Sequence, residues 1–174
     1  DTATRRGLVD SAYNERRSQC EAAARFFGMP ALRDVDMATF TARAEELDPT
    51  TRARARHVIS ENERTLAAAE AMRRGDAGEM GKLMNASHAS MRDDFEISRA
   101  EMDVMVDLAQ AQKSCFGARM TGGGFGGAAV ALVRAAEAEA FAHSVSAGYR
   151  AATGLDPQVY ICTATDGAAV VGQS

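Results

Sequence analysis

Residues 117–133 read Gly-Ala-Arg-Met-Thr-Gly-Gly-Gly-Phe-Gly-Gly-Ala-Ala-Val-Ala-Leu-Val, and five of the 15 glycines of the chain fall within six positions of this stretch, 122–127. Glycine loses more backbone entropy on folding than any other residue, so such a cluster indicates positive φ angles or the close approach of another backbone or a ligand. The apolar run at residues 128–133 predicts a buried strand, and residues 115–120 predict its antiparallel neighbour.

The residues by themselves leave two interpretations of the glycines open. They form either a turn between two strands or a loop whose backbone N–H groups lie beside a phosphate. The tract lacks the lysine of a Gly-x-x-x-x-Gly-Lys phosphate loop. The spacing Gly122-x-Gly124-x-x-Gly127 matches the dinucleotide fingerprint, but a predicted strand follows where that fingerprint requires a helix.

Length and charge limit what the chain can be. Its 174 residues are enough to bury one core, and they predict a single domain. The balance of 20 basic and 24 acidic residues argues against binding to nucleic acid through charge. No apolar stretch approaches the roughly 20 residues that span a bilayer, so we expect a soluble, cytoplasmic protein without a membrane partner. Because the chain begins with Asp1 and not with Met, we also expect it to be excised from a longer protein.

The cysteines and histidines do not have the spacing of a metal site or of a nucleophilic catalytic set. Each type occurs three times and is scattered along the chain, at Cys20, Cys115 and Cys162 and at His57, His88 and His143. We therefore predict no metal ligand and no catalytic residue in this chain, and we interpret the cysteines as small buried residues in a reducing compartment.

Hydrophobic periodicity and capping signals predict about six helices. The signals are Asp36, the capping boxes Asp76-x-x-Glu79 and Ser98-x-x-Glu101, the chain breaker Pro49 and the helix-ending Gly28 and Gly75. The predicted helices cover residues 8–27, 36–46, 51–73 and 135–151, with one after Asp76 that includes 80–91 and one after Ser98 that includes 102–109.

Two further strands are predicted near the end of the chain. Residues 158–163 alternate and contain β-branched side chains, and the turn signal Asp166-Gly167 predicts a hairpin to a returning strand at 168–171. The fold class is therefore α+β, with about six helices on one face of a small, mainly antiparallel sheet of about four strands.

Several other polar and sulfur-containing side chains are interpreted as structural. The methionines at helical spacing predict core positions, at Met80, Met84, Met91, Met102 and Met105. His88 and Arg92 lie four residues apart on one helix and could form a polar relay with Asp93 or Asp94. Arg119 stands at a strand end, where an arginine is usually solvated or ion-paired and not bound to a phosphate.

Three ordered segments carry a resemblance to a known family. Residues 117–127, GARMTGGGFGG, resemble the third conserved motif of the GHMP kinases in the form typical of galactokinases. Residues 11–21, SAYNERRSQCE, resemble the helix that begins the C-terminal half of galactokinases, and residues 83–96 contain a match to the galactokinase segment Ser-His-x-Ser-Leu-Arg-Asp-Asp. Residues 54–65 fit as well, so the resemblance extends over essentially the whole chain.

The resemblance implies that residues 1–174 form the C-terminal domain of a galactokinase-like enzyme, a ferredoxin-like elaboration. Galactokinases transfer the γ-phosphoryl group of MgATP to the anomeric hydroxyl of galactose. No segment of this chain matches the sugar-signature motif, the Ser-rich phosphate loop or the Asp and Arg credited with activating the hydroxyl. ATP, Mg²⁺ and the sugar are thus expected to need a partner, the N-terminal kinase domain, and the chain alone is expected to be inactive and prone to self-association.

The family pattern assigns two sites in this chain. Tyr13 matches a tyrosine that contacts the sugar, although an ordinary helix residue packed in an interface is the alternative. The glycine loop matches a segment that supports the phosphate loop of the other domain, and it consists of Thr121, Gly122, Gly123, Gly124, Phe125, Gly126 and Gly127. Two other functions stay open: a related kinase for another sugar, such as N-acetylgalactosamine or arabinose, and a non-catalytic sugar-responsive regulator.

Overall fold

The computed structural model describes residues 1–4 and 9–165, which form an α+β fold. Six α-helices are present in this part of the chain, as predicted, together with three short 3₁₀ turns at Leu32–Asp34, Ala44–Glu46 and Ala135–Glu137. The helices are α1 (Val9–Phe26), α2 (Met37–Arg43), α3 (Pro49–Arg73), α4 (Ala77–Asp93), α5 (Ala100–Gln110) and α6 (Ala138–Thr153). The strands are β1 (Cys115–Met120) and β2 (Ala129–Val133).

Aspartate caps begin three of the helices. The carboxylates of Asp36, Asp48 and Asp76 accept hydrogen bonds from backbone N–H groups three residues later, at 2.7, 3.0 and 2.9 Å. Pro49 is the first residue of α3 and does not break the chain before it, because its fixed φ suits that position and its missing N–H costs nothing there. Helix α3 therefore begins two residues earlier than predicted.

The predicted capping box at Ser98 is wrong. Arg99 is the residue before α5, and it makes no side-chain cap. The Ser98 hydroxyl instead donates a hydrogen bond of 2.6 Å to Asp103 Oδ1. In a capping box the serine oxygen would accept from a backbone N–H, but here the hydroxyl is directed to the Asp103 carboxylate, a strong charged acceptor.

The predicted sheet of about four strands is also wrong, since the described residues contain only two. Strands β1 and β2 pair antiparallel, with Met120 opposite Ala129 and a register shift between Cys115 and Gly117. Residues 158–163 form no strand: Gln158 exchanges backbone hydrogen bonds with Asp1, and the next three side chains, Val159, Tyr160 and Ile161, are 39–73% exposed. Their alternation has neither a buried face nor a full partner strand. The predicted hairpin at Asp166-Gly167 and the strand at 168–171 lie outside the described residues.

The buried side chains form two clusters. One packs α4, α5 and α6 onto the hairpin around Met102, Val106, Met120 and Tyr149. The other packs α1, α2 and α3 together around Phe27, Phe40 and Ile59. The predicted methionine core is confirmed for Met84, Met91, Met102 and Met105, whereas Met80 is only half-buried.

Helix α4 lies directly against the backbone of β1. A Cβ atom on Gly81 would stand 1.9 Å from the carbonyl oxygen of Phe116, and one on Gly117 would stand 2.1 Å from that of Gly81. The outer edge of β1 is bonded by side chains: Asn85 Oδ1 accepts from Ala118 N at 2.9 Å and His88 Nδ1 accepts from Met120 N at 3.3 Å. Helix α4 thus occupies the place of a neighbouring strand, and His88 makes one of the contacts that hold it there.

Candidate functional site

The glycine loop, residues 121–127, connects β1 to β2 through a run of left-handed backbone. The φ angles are +82° at Gly122 and Gly124, +63° at Phe125, +120° at Gly126 and +98° at Gly127. Only glycine takes such angles without steric cost, so the loop conformation favours glycine at positions 122, 124, 126 and 127, whereas Phe125 adopts its positive φ at a cost. A hydrogen bond of 2.9 Å from Thr121 N to Ala128 O closes the loop at its base.

One side of the glycine loop is packed against the protein and the other is exposed. A Cβ on Gly124 would lie 2.7 Å from Ile97 Cβ and from Ile97 O, and the N–H of Phe125 donates to Ile97 O at 2.7 Å. The carbonyl of Gly127 accepts from Thr2 N at 3.0 Å. Thr121, Gly122 and Gly123 are exposed. Both features of the sequence prediction, the sharp turn and the close backbone approach, are therefore present.

Tyr13 lies near the start of α1 and is 57% exposed. An exposed phenol offers an apolar ring face and a hydroxyl that can donate or accept a hydrogen bond. Three residues further along the helix, Arg16 has a side chain that is only 12% exposed and turns toward the protein. The roles assigned to Tyr13 and to the glycine loop stay predictions.

Buried arginines hold the segment that contacts the glycine loop. Arg54, 3% exposed, donates to Asp94 O and to Glu96 Oε2, the latter at 2.6 Å. Arg16 donates to Phe95 O at 2.6 Å. Sequence reasoning quoted these arginines as part of matching segments but assigned them no role, because their partners lie 40 to 80 residues away.

A half-buried polar cluster surrounds Glu61. Its carboxylate accepts from Ser87 Oγ at 2.5 Å, from Arg64 Nε at 2.7 Å and from Arg119 Nη1 at 3.1 Å. Burial by itself would raise the pKa of Glu61, but the hydrogen bonds from Ser87 and Arg64 and the charges of Arg64 and Arg119 outweigh it and lower that pKa. Arg119 is ion-paired with Glu61, as its interpretation from the sequence expects.

The fold also brings together a serine, a histidine and an aspartate that sequence reasoning did not combine. Ser90 Oγ donates to Asp94 Oδ2 at 2.9 Å and lies 3.0 Å from His57 Nδ1. The serine proton therefore points to the carboxylate and not to a histidine base, which is the reverse of a nucleophilic triad. Burial lowers the pKa of His57 to about 4, and its ring stacks on Phe95 at 4.5 Å. The set is a buried polar relay.

The predicted relay of His88 and Arg92 is divided between two partners. Arg92 pairs with Asp93 through hydrogen bonds of 2.7 and 3.0 Å. His88 Nε2 lies 3.3 Å from Asp103 Oδ1 on α5. Burial lowers the pKa of His88, so the ring is neutral at pH 7.

Further along the hairpin, an open groove of about 570 Å³ begins beside Thr121. Its lining is mainly apolar and includes Met72, Met80, Val130 and Leu132.

Within residues 1–4 and 9–165, no three His, Cys, Asp or Glu side chains are grouped so that they could hold a metal ion. No helix in the same residues has the length and apolar character needed to cross a membrane.

Comparison with known proteins shows a family match and a similar structure. Residues 68–151, which include α4, α5, both strands and the glycine loop, match the model of the family "GHMP kinases C terminal". The crystal structure of Lactococcus lactis galactokinase complexed with galactose is similar with a TM-score of 0.85 and 37% sequence identity. The similarity covers 90% of this chain and 42% of the galactokinase. Residues 68–151 thus match the GHMP kinase C-terminal family, and the chain that carries them is similar in structure to part of a galactokinase.

Proposed function

We propose that this chain is the C-terminal part of a galactokinase-like sugar kinase, which transfers the γ-phosphoryl group of ATP to the anomeric hydroxyl of galactose. The observation that carries the proposal is the extent of the similarity to the Lactococcus galactokinase. It reaches 90% of the chain at 37% identity, well beyond the residues matched by the family model. The proposal places the protein in the cytoplasm, where ATP is available.

Most of the phosphoryl-transfer chemistry belongs to another part of the enzyme. Such transfer depends on positioning and on cationic and N–H groups around the phosphate oxygens. Among the described residues, no three His, Cys, Asp or Glu side chains are grouped as metal ligands, and the proposal assigns Mg²⁺ to the partner domain. An N-terminal kinase domain is the partner that would bind ATP and Mg²⁺, and the chain alone is expected to transfer no phosphoryl group.

The glycine loop contributes shape to the proposed active site. Its inner side is held by Ile97 and Thr2, whereas Thr121, Gly122 and Gly123 present exposed backbone. Backbone without side chains allows a second loop to approach closely. This arrangement supports a role in which the loop packs against the phosphate loop of the partner domain, rather than binding ATP by itself.

Tyr13 contributes to sugar binding in this proposal. A ring that is 57% exposed can pack against the C–H face of a sugar, and its hydroxyl can bond a sugar hydroxyl. Removing that hydroxyl while keeping the ring is expected to raise the KM for galactose about tenfold, the effect of one lost hydrogen bond of about 1.4 kcal/mol. Tyr160, whose side chain is 73% exposed at the opposite end of the sequence, provides the matched control.

The test joins this chain to the N-terminal kinase domain and measures ADP release with galactose, N-acetylgalactosamine and arabinose. We expect turnover with galactose in the joined protein, none in the chain alone, and a raised KM for Tyr13→Phe but not for Tyr160→Phe. Ordinary turnover by the chain alone would refute the assignment of catalysis to the other domain. A preference for another sugar would replace galactose as the substrate, and equal effects of the two tyrosine variants would remove Tyr13 from the site.

We further propose that the isolated chain self-associates. Val159, Tyr160 and Ile161 are three successive exposed apolar side chains, and such a patch promotes association. Sedimentation velocity over a range of protein concentrations tests this. A single monomeric species at all concentrations would contradict it.

A further inference from the structure

We propose that Arg16 is a positioning residue that couples helix α1 to the glycine loop through residues 94–97, here called the bridge segment. The inference rests on the proposed function only where it assigns a consequence for catalysis. Its structural basis is a continuous set of hydrogen bonds from α1 to the loop.

The four successive carbonyl groups of the bridge segment are all bonded by other parts of the protein. Asp94 O accepts from Arg54 Nη1, Phe95 O accepts from Arg16 Nε at 2.6 Å, and Glu96 O accepts from Arg16 Nη2 at 3.2 Å. The fourth, Ile97 O, accepts from the N–H of Phe125 in the glycine loop at 2.7 Å. Arginines from α1 and α3 thus hold one end of the segment, and the glycine loop is attached to the other.

The backbone of the bridge segment is strained, so it needs these partners. Glu96 has a φ of +52°, which is unusual for a residue other than glycine and costs of the order of one hydrogen bond. Its side chain accepts from Arg54 Nη2 and lies 3.6 Å from Arg16 Nη2. Arg16 is the residue with donors to two neighbouring carbonyls of the segment, as the planar guanidinium fork allows.

The bridge segment and the glycine loop are tightly packed against each other. A Cβ on Gly124 would stand 2.7 Å from both Cβ and O of Ile97, and Ile97 is itself 8% exposed. A shift of residues 95–97 must therefore move the loop or break the Phe125 hydrogen bond. Close-packed elements pass on small displacements in this way because they cannot absorb them.

Arg16 is three residues from Tyr13 on the same helix, so the residue that anchors α1 lies beside the one proposed to contact the sugar. If Tyr13 binds the sugar and the loop lines the site of the transferred phosphate, Arg16 fixes the distance between the two. A misplacement of this kind lowers kcat because the reacting groups are misaligned, while the binding contacts that set KM are retained.

The test uses hydrogen exchange of the Phe125 amide in this chain, a measurement that does not depend on kinase activity. Arg16→Met keeps the apolar stem but removes all donors, and Arg17→Met is the matched control, since Arg17 is 70% exposed and pairs with Glu21 on its own helix. We expect exchange of the Phe125 amide to rise about tenfold in Arg16→Met, to stay unchanged in Arg17→Met, and to rise less in Arg16→Lys, which retains a donor. The amide of Val106 in the core should be unaffected.

The coupling would be refuted if the Phe125 amide keeps its wild-type exchange in Arg16→Met, or if the Val106 amide accelerates equally, which would indicate a loss of global stability alone. Should Arg16→Met fail to fold, Arg16→Lys and the reverse perturbation Gly124→Ala replace it. Coupling is reciprocal, so Gly124→Ala should accelerate exchange at residues 16–20 of α1. Unchanged exchange there would also overturn the proposal.

Kinetics of the joined protein separate this inference from the proposed function. We expect Arg16→Lys to lower kcat for galactose about tenfold with little change in KM, in contrast to the raised KM of Tyr13→Phe. A joined protein without sugar kinase activity, but with exchange coupled as above, would refute the proposed function and retain the coupling. An active kinase in which Arg16→Met leaves the exchange of the Phe125 amide unchanged would refute the coupling and retain the proposed function.

Discussion

Replacing Gly81 by alanine tests whether direct contact between helix α4 and strand β1 determines the fold. Gly81 is a buried residue inside α4, where alanine normally stabilises a helix by about 1 kcal/mol relative to glycine. In this position, however, the new Cβ would stand 1.9 Å from Phe116 O and 2.2 Å from Phe116 C. Both are backbone atoms of β1 and cannot rotate away.

The geometry sets the size of the effect. Ordinary van der Waals contact begins at 3.4 Å, so helix and strand would have to separate by about 1.5 Å. Such a shift would stretch the hydrogen bonds from Ala118 N to Asn85 and from Met120 N to His88, which are 2.9 and 3.3 Å long. Overpacking of a rigid core costs about 1–3 kcal/mol and sometimes more. The two stretched hydrogen bonds add to this cost, and the better helix propensity of alanine offsets part of it. We therefore expect the free energy of unfolding to fall by about 3 kcal/mol in Gly81→Ala.

Gly78→Ala is the matched control because it lies in the same helix and its Cβ would meet only Asp76 Oδ1, at 3.5 Å. Urea denaturation should give a free energy of unfolding lower by about 3 kcal/mol for Gly81→Ala, and equal or up to about 1 kcal/mol higher for Gly78→Ala. If both variants are as stable as the wild type, the close contact of α4 with β1 is not a determinant of stability.

Two further predictions concern pH and the glycine loop. Burial lowers the pKa of His57 from its ordinary value of 6.5 to about 4. Between these two pH values the unfolded chain binds a proton that the folded state does not bind. Acidification from pH 6.5 to pH 4 should therefore lower the free energy of unfolding by up to about 3 kcal/mol. Urea titrations at several pH values should show that His57→Gln loses less unfolding free energy on acidification than the wild type, by the same amount. The exposed-site control His143→Gln should lose as much as the wild type. An unaltered pH dependence in His57→Gln would contradict this. For the loop, Gly124→Ala should lose about 1–3 kcal/mol more than Gly127→Ala, because both take a positive φ but only Gly124 would clash with Ile97. Equal losses in unfolding free energy would show that strain, not contact, decides.

The helices could be predicted because their determinants are local. Asp36 and Asp76 cap helices through N–H groups three residues away, and Gly28 and Gly75 take positive φ where α1 and α3 end. Ser98 shows the limit of such signals. Its hydroxyl meets the carboxylate of Asp103, five residues away, and the cap is lost.

The strands were predicted less well because a strand needs a partner. Residues 115–120 and 129–133 pair with each other across a loop, and their apolar pattern and the glycines between them are visible in the sequence. Residues 158–163 have a similar alternation, but in the described part of the chain their backbone meets only Asp1. Alternation indicates which side chains share a face, and it does not state whether a neighbouring strand is present.

The candidate site combines a predictable part with one that is not. The glycine tract was predictable because the positive φ angles it needs are a local property of the backbone. The surface that holds it was not, because Phe95 O and Ile97 O receive their donors from Arg16 and Phe125, which are 79 and 28 residues away. Every residue type has a backbone carbonyl group, so the sequence of residues 95–97 does not indicate that these contacts exist. The contacts restrict the residue type at Arg16 and Gly124 instead. Arg16 must donate to two carbonyl groups and Gly124 must lack a Cβ, and in both cases the fold brings the partner close.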